Sequence, residues 1–238
     1  MIIIFDYILD VFFPRNLKCI YCNKDIDENN KYSLCDDCKV KVSFIEGNVC
    51  KYCGRHIKDG NICLECEKNR YYFQRGISVL EYNDNSKKLV LALKYNKKTY
   101  IAYYFAKMIY DKMELNEMVD FDIITYVPSS KKKRRKRGYN PSEIIAKYVS
   151  KFSSIPYEKL LIKEKDTVEL KSLNRMQRKL TVKDSFKIKD NDLNIKKCLI
   201  IDDVFTTGST INECSRMLYE KYVCDITIAT VYVGDIDK

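Results

Sequence analysis

The chain has 238 residues, room for one α/β domain and a small accessory one. Its 43 Lys and Arg against 33 Asp and Glu leave a net charge of +10, which points to anionic partners: phosphorylated ligands, nucleic acid or an acidic membrane surface. A single His and no Trp argue against a mechanism built on histidine.

No run of the sequence approaches the apolar length that crosses a membrane. Residues 1–13 are apolar but interrupted by Asp6 and Asp10, and they lack the basic start and small-residue cleavage site of a signal peptide. Ile4, Phe5, Ile8, Leu9 and Phe12 can share one face of a helix. The expectation is a docked amphipathic helix on a cytoplasmic protein. Contact with the inner face of the membrane is the alternative, which the two acids weaken.

Eight of the 11 cysteines form four Cys-x-x-Cys pairs: Cys19/Cys22, Cys35/Cys38, Cys50/Cys53 and Cys63/Cys66. A two-residue spacer turns both sulfurs toward one ion, and two such pairs complete a tetrahedral thiolate site. Four pairs therefore predict two structural zinc ions, with one occupied site as the alternative. Pairing in sequence order is the simplest assignment, and a cross-braced one stays open. A disulfide scaffold does not suit a reducing compartment, and four pairs are too many for a redox dithiol. Residues 1–72 read as this Cys-rich module and residues 73–238 as the main domain. Cys198, Cys214 and Cys224 stand in apolar contexts and read as core.

The main domain alternates strand and helix patterns. Gly76–Tyr82 reads as a strand, Lys87–Tyr95 as a helix capped by Ser86, and residues 99–113 as a helix capped by Thr99. Asp122–Val127 reads as a strand closed by Pro128. Such alternation predicts a parallel sheet flanked by helices. Ser129, Ser130 and then seven cations follow, Lys131, Lys132, Lys133, Arg134, Arg135, Lys136 and Arg137, before Gly138-Tyr139-Asn140-Pro141. Asn140 suits an N-cap and Pro141 the first helical position. The basic run is thus expected on a loop at a strand's carboxyl end, where ligands of open α/β sheets bind. There it can hold pyrophosphate or a nucleic-acid backbone, or simply be solvated.

The most informative stretch is Lys197–Thr210. Cys198–Ile201 reads as a strand buried on both faces. Asp202 and Asp203 are expected to follow its end. Thr206, Thr207, Gly208, Ser209 and Thr210 then turn into a helix, with Thr210 as N-cap and Glu213 as its capping-box partner. Backbone N–H groups at that helix start, with the hydroxyls, suit a phosphate. The adjacent acids suit the vicinal hydroxyls of a ribose, or a magnesium ion near them.

Leu199–Thr210 resembles the signature of the type I phosphoribosyltransferases for phosphoribosyl pyrophosphate (PRPP). The resemblance implies that Asp202 and Asp203 contact the ribose hydroxyls, and that Thr206–Thr210 cradle the 5′-phosphate. Thr206 stands where hypoxanthine-type enzymes carry an acid for the purine, which disfavours a 6-oxopurine acceptor. Further upstream, Ala92-Leu93-Lys94-Tyr95, then Val127-Pro128, the basic run and Arg137-Gly138-Tyr139-Asn140 follow the four cysteine pairs. This order resembles the competence protein F (ComF) family of bacterial natural transformation. That likeness implies Lys94 and Arg137 as catalytic, ligand-side residues beside the two acids, and a hood loop over 166–186 whose Arg175 and Arg178 add to the pyrophosphate or nucleic-acid side. Val168, Glu169 and Leu170 depart from the usual Pro-Pro-Gln, and Thr181 from the usual Asn. It also implies PRPP with Mg²⁺ as ligand, handling of incoming single-stranded DNA, and a helicase as partner. Two functions follow from it: transfer of ribose 5-phosphate with release of pyrophosphate, or a PRPP-sensing or DNA- and helicase-binding adaptor without catalysis.

Overall fold

A computed structural model describes residues 16–27, 29–164, 185–189 and 192–234. Its centre is a parallel sheet in the order β1-β6-β5-β2, with β1 Arg75–Tyr82, β2 Ile123–Tyr126, β5 Lys197–Phe205 and β6 Asp225–Gly234. A short antiparallel pair, β3 Leu161–Lys163 and β4 Phe186–Ile188, lies apart from it. The helices are α1 Asp36–Lys39, α2 Leu64–Glu67, α3 Lys87–Tyr95, α4 Ile101–Leu115, α5 Lys131–Arg137, α6 Pro141–Ser153 and α7 Ser209–Tyr222.

The interior strands β5 and β6 are apolar on both faces, as a sheet covered from both sides requires. Leu199, Ile201, Ala229 and Val231 pack with Leu93, Phe105, Ile109, Ile145 and Val149 of α3, α4 and α6. Cys198, Ile200, Ile226 and Ile228 pack in one cluster with Ile211, Cys214 and Leu218 of α7 and with Cys50, Cys53, Cys63 and Cys66. Each fully buried Leu or Ile there contributes roughly 1.5–3 kcal/mol.

The Cys-rich module is welded to the sheet's edge. Residues 43–45 run antiparallel to β1, with the Ile45 N–H donating to the Val79 carbonyl (3.0 Å) and the Glu81 N–H to the Ser43 carbonyl (2.9 Å). The Gly76 N–H donates to the Lys51 carbonyl (2.8 Å), and Ser78 Oγ reaches the Cys53 carbonyl (2.7 Å). A strand edge that would otherwise template aggregation is covered in this way.

Three helix or strand limits differ from expectation. β5 does not stop at Ile201: β6 continues beside it, pairing Asp202 with Thr230 and Phe205 with Val233, so both acids lie inside the strand. The helix expected from Thr99 starts at Ile101 after Tyr100. α7 starts at Ser209 with Gly208 as N-cap, so Thr210 is helical, and Glu213 pairs with Arg216 (2.7 Å) instead of closing a capping box. Ser86 precedes α3 as expected but spends its hydroxyl on the Glu81 carbonyl and the Asn83 N–H. The N-terminal helix, and the hood with Val168, Glu169, Leu170, Arg175, Arg178 and Thr181, fall outside the described residues. Among the described residues no helix is long and apolar enough to cross a membrane.

Candidate sugar-phosphate site and paired cysteine centres

The acid pair sits near the carboxyl end of β5. Asp202 Oδ1 accepts from Ser142 Oγ at the start of α6 (2.8 Å) and from the Asp203 N–H (2.8 Å). Loss of hydration, reinforced by the neighbouring Asp203 charge, pushes the Asp202 carboxyl up to about 7, against the lowering effect of Ser142. Asp203 is buried and forms an ion pair with Lys94 Nζ from the end of α3 (2.8 Å). Lys94, Asp202 and Asp203 therefore meet, and Ser142 joins them. No residue pattern signalled Ser142, because a serine after Pro141 reads as ordinary helix start.

The turn after β5 exposes Thr206 and buries Thr207. Thr207 Oγ1 lies 2.9 Å from Ser209 Oγ and accepts from the Ser209 N–H (3.3 Å). Gly208 adopts φ +72°, a left-handed conformation that favours glycine, and a Cβ there would lie 2.5 Å from Phe205 Cζ. The turn thus delivers the hydroxyls of Thr207, Ser209 and Thr210 to the start of the 14-residue α7, where first-turn N–H groups lack helical partners. That end of a helix attracts anions.

The basic run is not a loop. Lys131–Arg137 form α5, with Ser130 Oγ accepting from the Lys133 N–H (3.3 Å) and left-handed Gly138 closing the last turn. Lys and Arg are good helix formers, and a capped start with a glycine stop outweighs several like-charge contacts of about 0.2–0.5 kcal/mol each. Among the described residues, none of its seven cations enters an ion pair within the chain. The two upstream motifs meet here. Arg137 stacks over the Tyr95 ring (5.0 Å), the Tyr139 hydroxyl donates to the Leu93 carbonyl, and Asn140 Nδ2 donates to the Val127 carbonyl (2.9 Å). Asn140 is the N-cap by position only, its side chain being used to tie α6 to the end of β2.

Beneath α5 lies a cavity of ≈ 110 Å³ lined by Ser129, Lys131, Arg134, Lys159 and Lys163, with Glu143 as the one acid. Ser129 Oγ is buried there with no hydrogen-bond partner. Four cations and an unused hydroxyl suit an anion. Lys159 escaped sequence reasoning because it stands alone in an irregular segment.

The sulfurs of Cys19, Cys22, Cys35 and Cys38, and those of Cys50, Cys53, Cys63 and Cys66, form two groups within 4.8 Å. Pairing follows sequence order. Tetrahedral zinc with ligands at about 2.3 Å requires sulfurs about 3.8 Å apart. Cys22 and Cys35 stand at 3.7 Å and Cys53 and Cys63 at 3.8 Å, far beyond a disulfide. Each group also receives a backbone N–H on sulfur, Cys35 to Cys19 (3.4 Å) and Cys63 to Cys50 (3.3 Å). The donor sets fit two structural zinc ions.

Residues 8–67 match the double zinc ribbon domain and residues 135–238 the phosphoribosyl transferase domain. Competence protein F of Haemophilus influenzae is 24% identical over 90% of this chain and 95% of its own length. The chain is a relative of the competence protein F and ComFC proteins. ComFC of Bacillus subtilis is 24% identical over 87% of the chain and 90% of its own length. The DNA utilization protein YhgH of Escherichia coli K12 is 22% identical over 79% and 84%.

Proposed function

We propose that this protein binds PRPP with magnesium and serves the use of imported single-stranded DNA, as the names of its competence and DNA utilization relatives suggest. The observation that carries the ligand is the meeting of Lys94, Asp202 and Asp203 beside the hydroxyl-lined turn into α7. Asp202 and Asp203 would take the ribose hydroxyls and the metal, Thr206 to Thr210 the 5′-phosphate, and Ser129, Lys131, Arg134, Arg137 and Lys159 the pyrophosphate. Both carboxylates are already partnered, so a divalent ion brought by the ligand has to compete with the Lys94 ammonium for Asp203. Titration with PRPP by calorimetry is expected to give binding that needs magnesium and is lost in Asp203→Ala. Absence of heat from the wild-type protein would reject the site.

α5 supports the nucleic-acid half of the reading. Seven cations that enter no ion pair among the described residues gain most from a polyanion. Replacing Lys132, Lys133 and Lys136 by Gln should weaken single-stranded DNA binding and lower its salt slope by about 2, at roughly 0.7 per phosphate contact. An unchanged slope would place the contact elsewhere. A helicase partner would then be retained by this variant.

A second reading, transfer of ribose 5-phosphate to an acceptor, is favoured by the Asp202 carboxyl near 7, poised for proton transfer at neutral pH. It is also favoured by a groove of ≈ 630 Å³ at the carboxyl ends of β1 and β6, walled by Arg55, His56, Tyr82 and Asn83. Pyrophosphate release that depends on a candidate base would establish it.

A further inference from the structure

Tyr71 lies outside both matched domains and joins them. Its hydroxyl donates to Sγ of Cys66, a member of the second cysteine group (3.6 Å). Its ring stacks on Phe73 (centroids 4.6 Å apart) and meets Phe205 edge-on (6.4 Å). Gly208 rests on this aromatic floor: a Cβ there would lie 3.2 Å from Tyr71 Cε1 as well as against Phe205. The neighbouring backbone is fastened to the same element. The Tyr72 N–H donates to Asn212 Oδ1 (2.8 Å), Asn212 Nδ2 donates to the Arg70 carbonyl (3.4 Å), and the Asn212 N–H donates to the Gly208 carbonyl (2.8 Å). A four-residue strap, Arg70–Phe73, therefore runs from the cysteine centre to the turn that precedes α7.

We propose that Tyr71 is a positioning residue that makes the order of the 206–210 turn depend on the metal state of the second cysteine centre. A zinc-bound thiolate is a strong acceptor, and the hydrogen bond it receives orients the donor as much as it tunes the ligand. With Cys66 held in the cluster, the Tyr71 ring is fixed at its hydroxyl end and supports Gly208 and Phe205 at its edge. Without that anchor the ring can swing, and the turn loses its floor while the sheet beneath stays paired. Among the described residues the first cysteine centre has no such strap, so the two zinc sites differ in role: one is structural, the other also sets the geometry of the turn. The effect on PRPP rests on the ligand reading above, whereas the effect on the turn does not.

The test is amide hydrogen exchange on the full zinc-loaded chain, with PRPP titration alongside. Tyr71→Ala should speed exchange of the 207–211 amides roughly tenfold through local opening, with β5 and β6 unchanged. Tyr71→Phe, which keeps the ring and the fold, should lower zinc affinity at the second centre about tenfold, the low end for losing a partner of a metal ligand. Its turn should loosen with zinc still bound, less than in Tyr71→Ala, and respond little further to a chelator, whereas the wild-type turn loosens when a competing chelator removes that zinc. Cys22→Ser, at the first centre, should leave the turn as it is. Equal exchange in Tyr71→Ala and wild type overturns the proposal, and so does equal loosening by Cys22→Ser. If the turn responds as expected while wild type ignores PRPP, the coupling stands and the ligand reading falls.

Discussion

Gly76→Ala is expected to destabilise the whole protein by about 3 kcal/mol or more, the upper range for overpacking combined with a lost buried hydrogen bond. An added Cβ would overlap the Tyr52 carbonyl oxygen and lie 2.8 Å from Ile228 Cγ1. Neither can move cheaply: Tyr52 stands between Cys50 and Cys53 of the second cysteine group, and Ile228 is in the core of β6. The Gly76 N–H would also leave the Lys51 carbonyl. Gly60→Ala is the control, since nothing lies within 4 Å of its Cβ position and only its φ of +79° is strained, at a cost of about 1 kcal/mol. Urea unfolding followed by circular dichroism compares the two. A Gly76 variant within 1 kcal/mol of wild type would mean that the ribbon rests on the sheet without being fixed to it. The same geometry predicts that ribbon and sheet unfold in one transition, and that chelation of the second centre lowers the midpoint of both.

What could be read in the residues, and what could not, divides along physical lines. The two cysteine centres were legible from Cys-x-x-Cys spacing, while the choice between sequence-order and cross-braced pairing was decided only by the positions of the sulfurs. β5 and β6 were legible from apolar runs, but the end of β5 was not: a carboxylate normally marks a strand's end, and only the ladder to β6 carries Asp202 and Asp203 inside. The basic run read as a loop because it lies between a strand closed by Pro128 and a helix start signalled by Asn140 and Pro141. Its helix depends on two flanking residues, Ser130 and Gly138, whose capping roles are visible only when the segment between them is already taken as helical. The meeting of Tyr95 with Arg137, and of Leu93 with Tyr139, is a tertiary fact between segments more than 40 residues apart, and no local pattern announces it. Tyr71 belongs to the same class: an aromatic after a cysteine pair is ordinary core until its hydroxyl is seen on a ligand sulfur.

Asp202→Asn is expected to exchange stability against ligand affinity, with pH as the handle. Burial holds the folded carboxyl near 7, above its ordinary value of 3.8. Below about pH 4 the carboxyl is neutral in both states and imposes no penalty. Between pH 4 and 7 the unfolded chain gives up this proton and the folded one keeps it, so the unfolded state binds fewer protons and stability falls as pH rises. Above 7 both states are ionised and the penalty is constant, on the order of 4 kcal/mol at about 1.4 kcal/mol per pH unit. Asparagine keeps the oxygen that accepts from Ser142 and the Asp203 N–H but carries no charge. The variant should therefore lose this pH dependence and be more stable than wild type at pH 8 by a few kcal/mol, on the scale of that penalty. On the proposed reading, PRPP with magnesium would need the ionised carboxylate, so wild-type affinity should rise from pH 6 to 8, by up to about tenfold for each pH unit below the carboxyl's own value. The asparagine variant should lose binding at every pH. Stability curves of the two proteins that coincide from pH 5 to 8, or wild-type affinity that ignores pH, would mean that Asp202 is neither strained by burial nor engaged by the ligand.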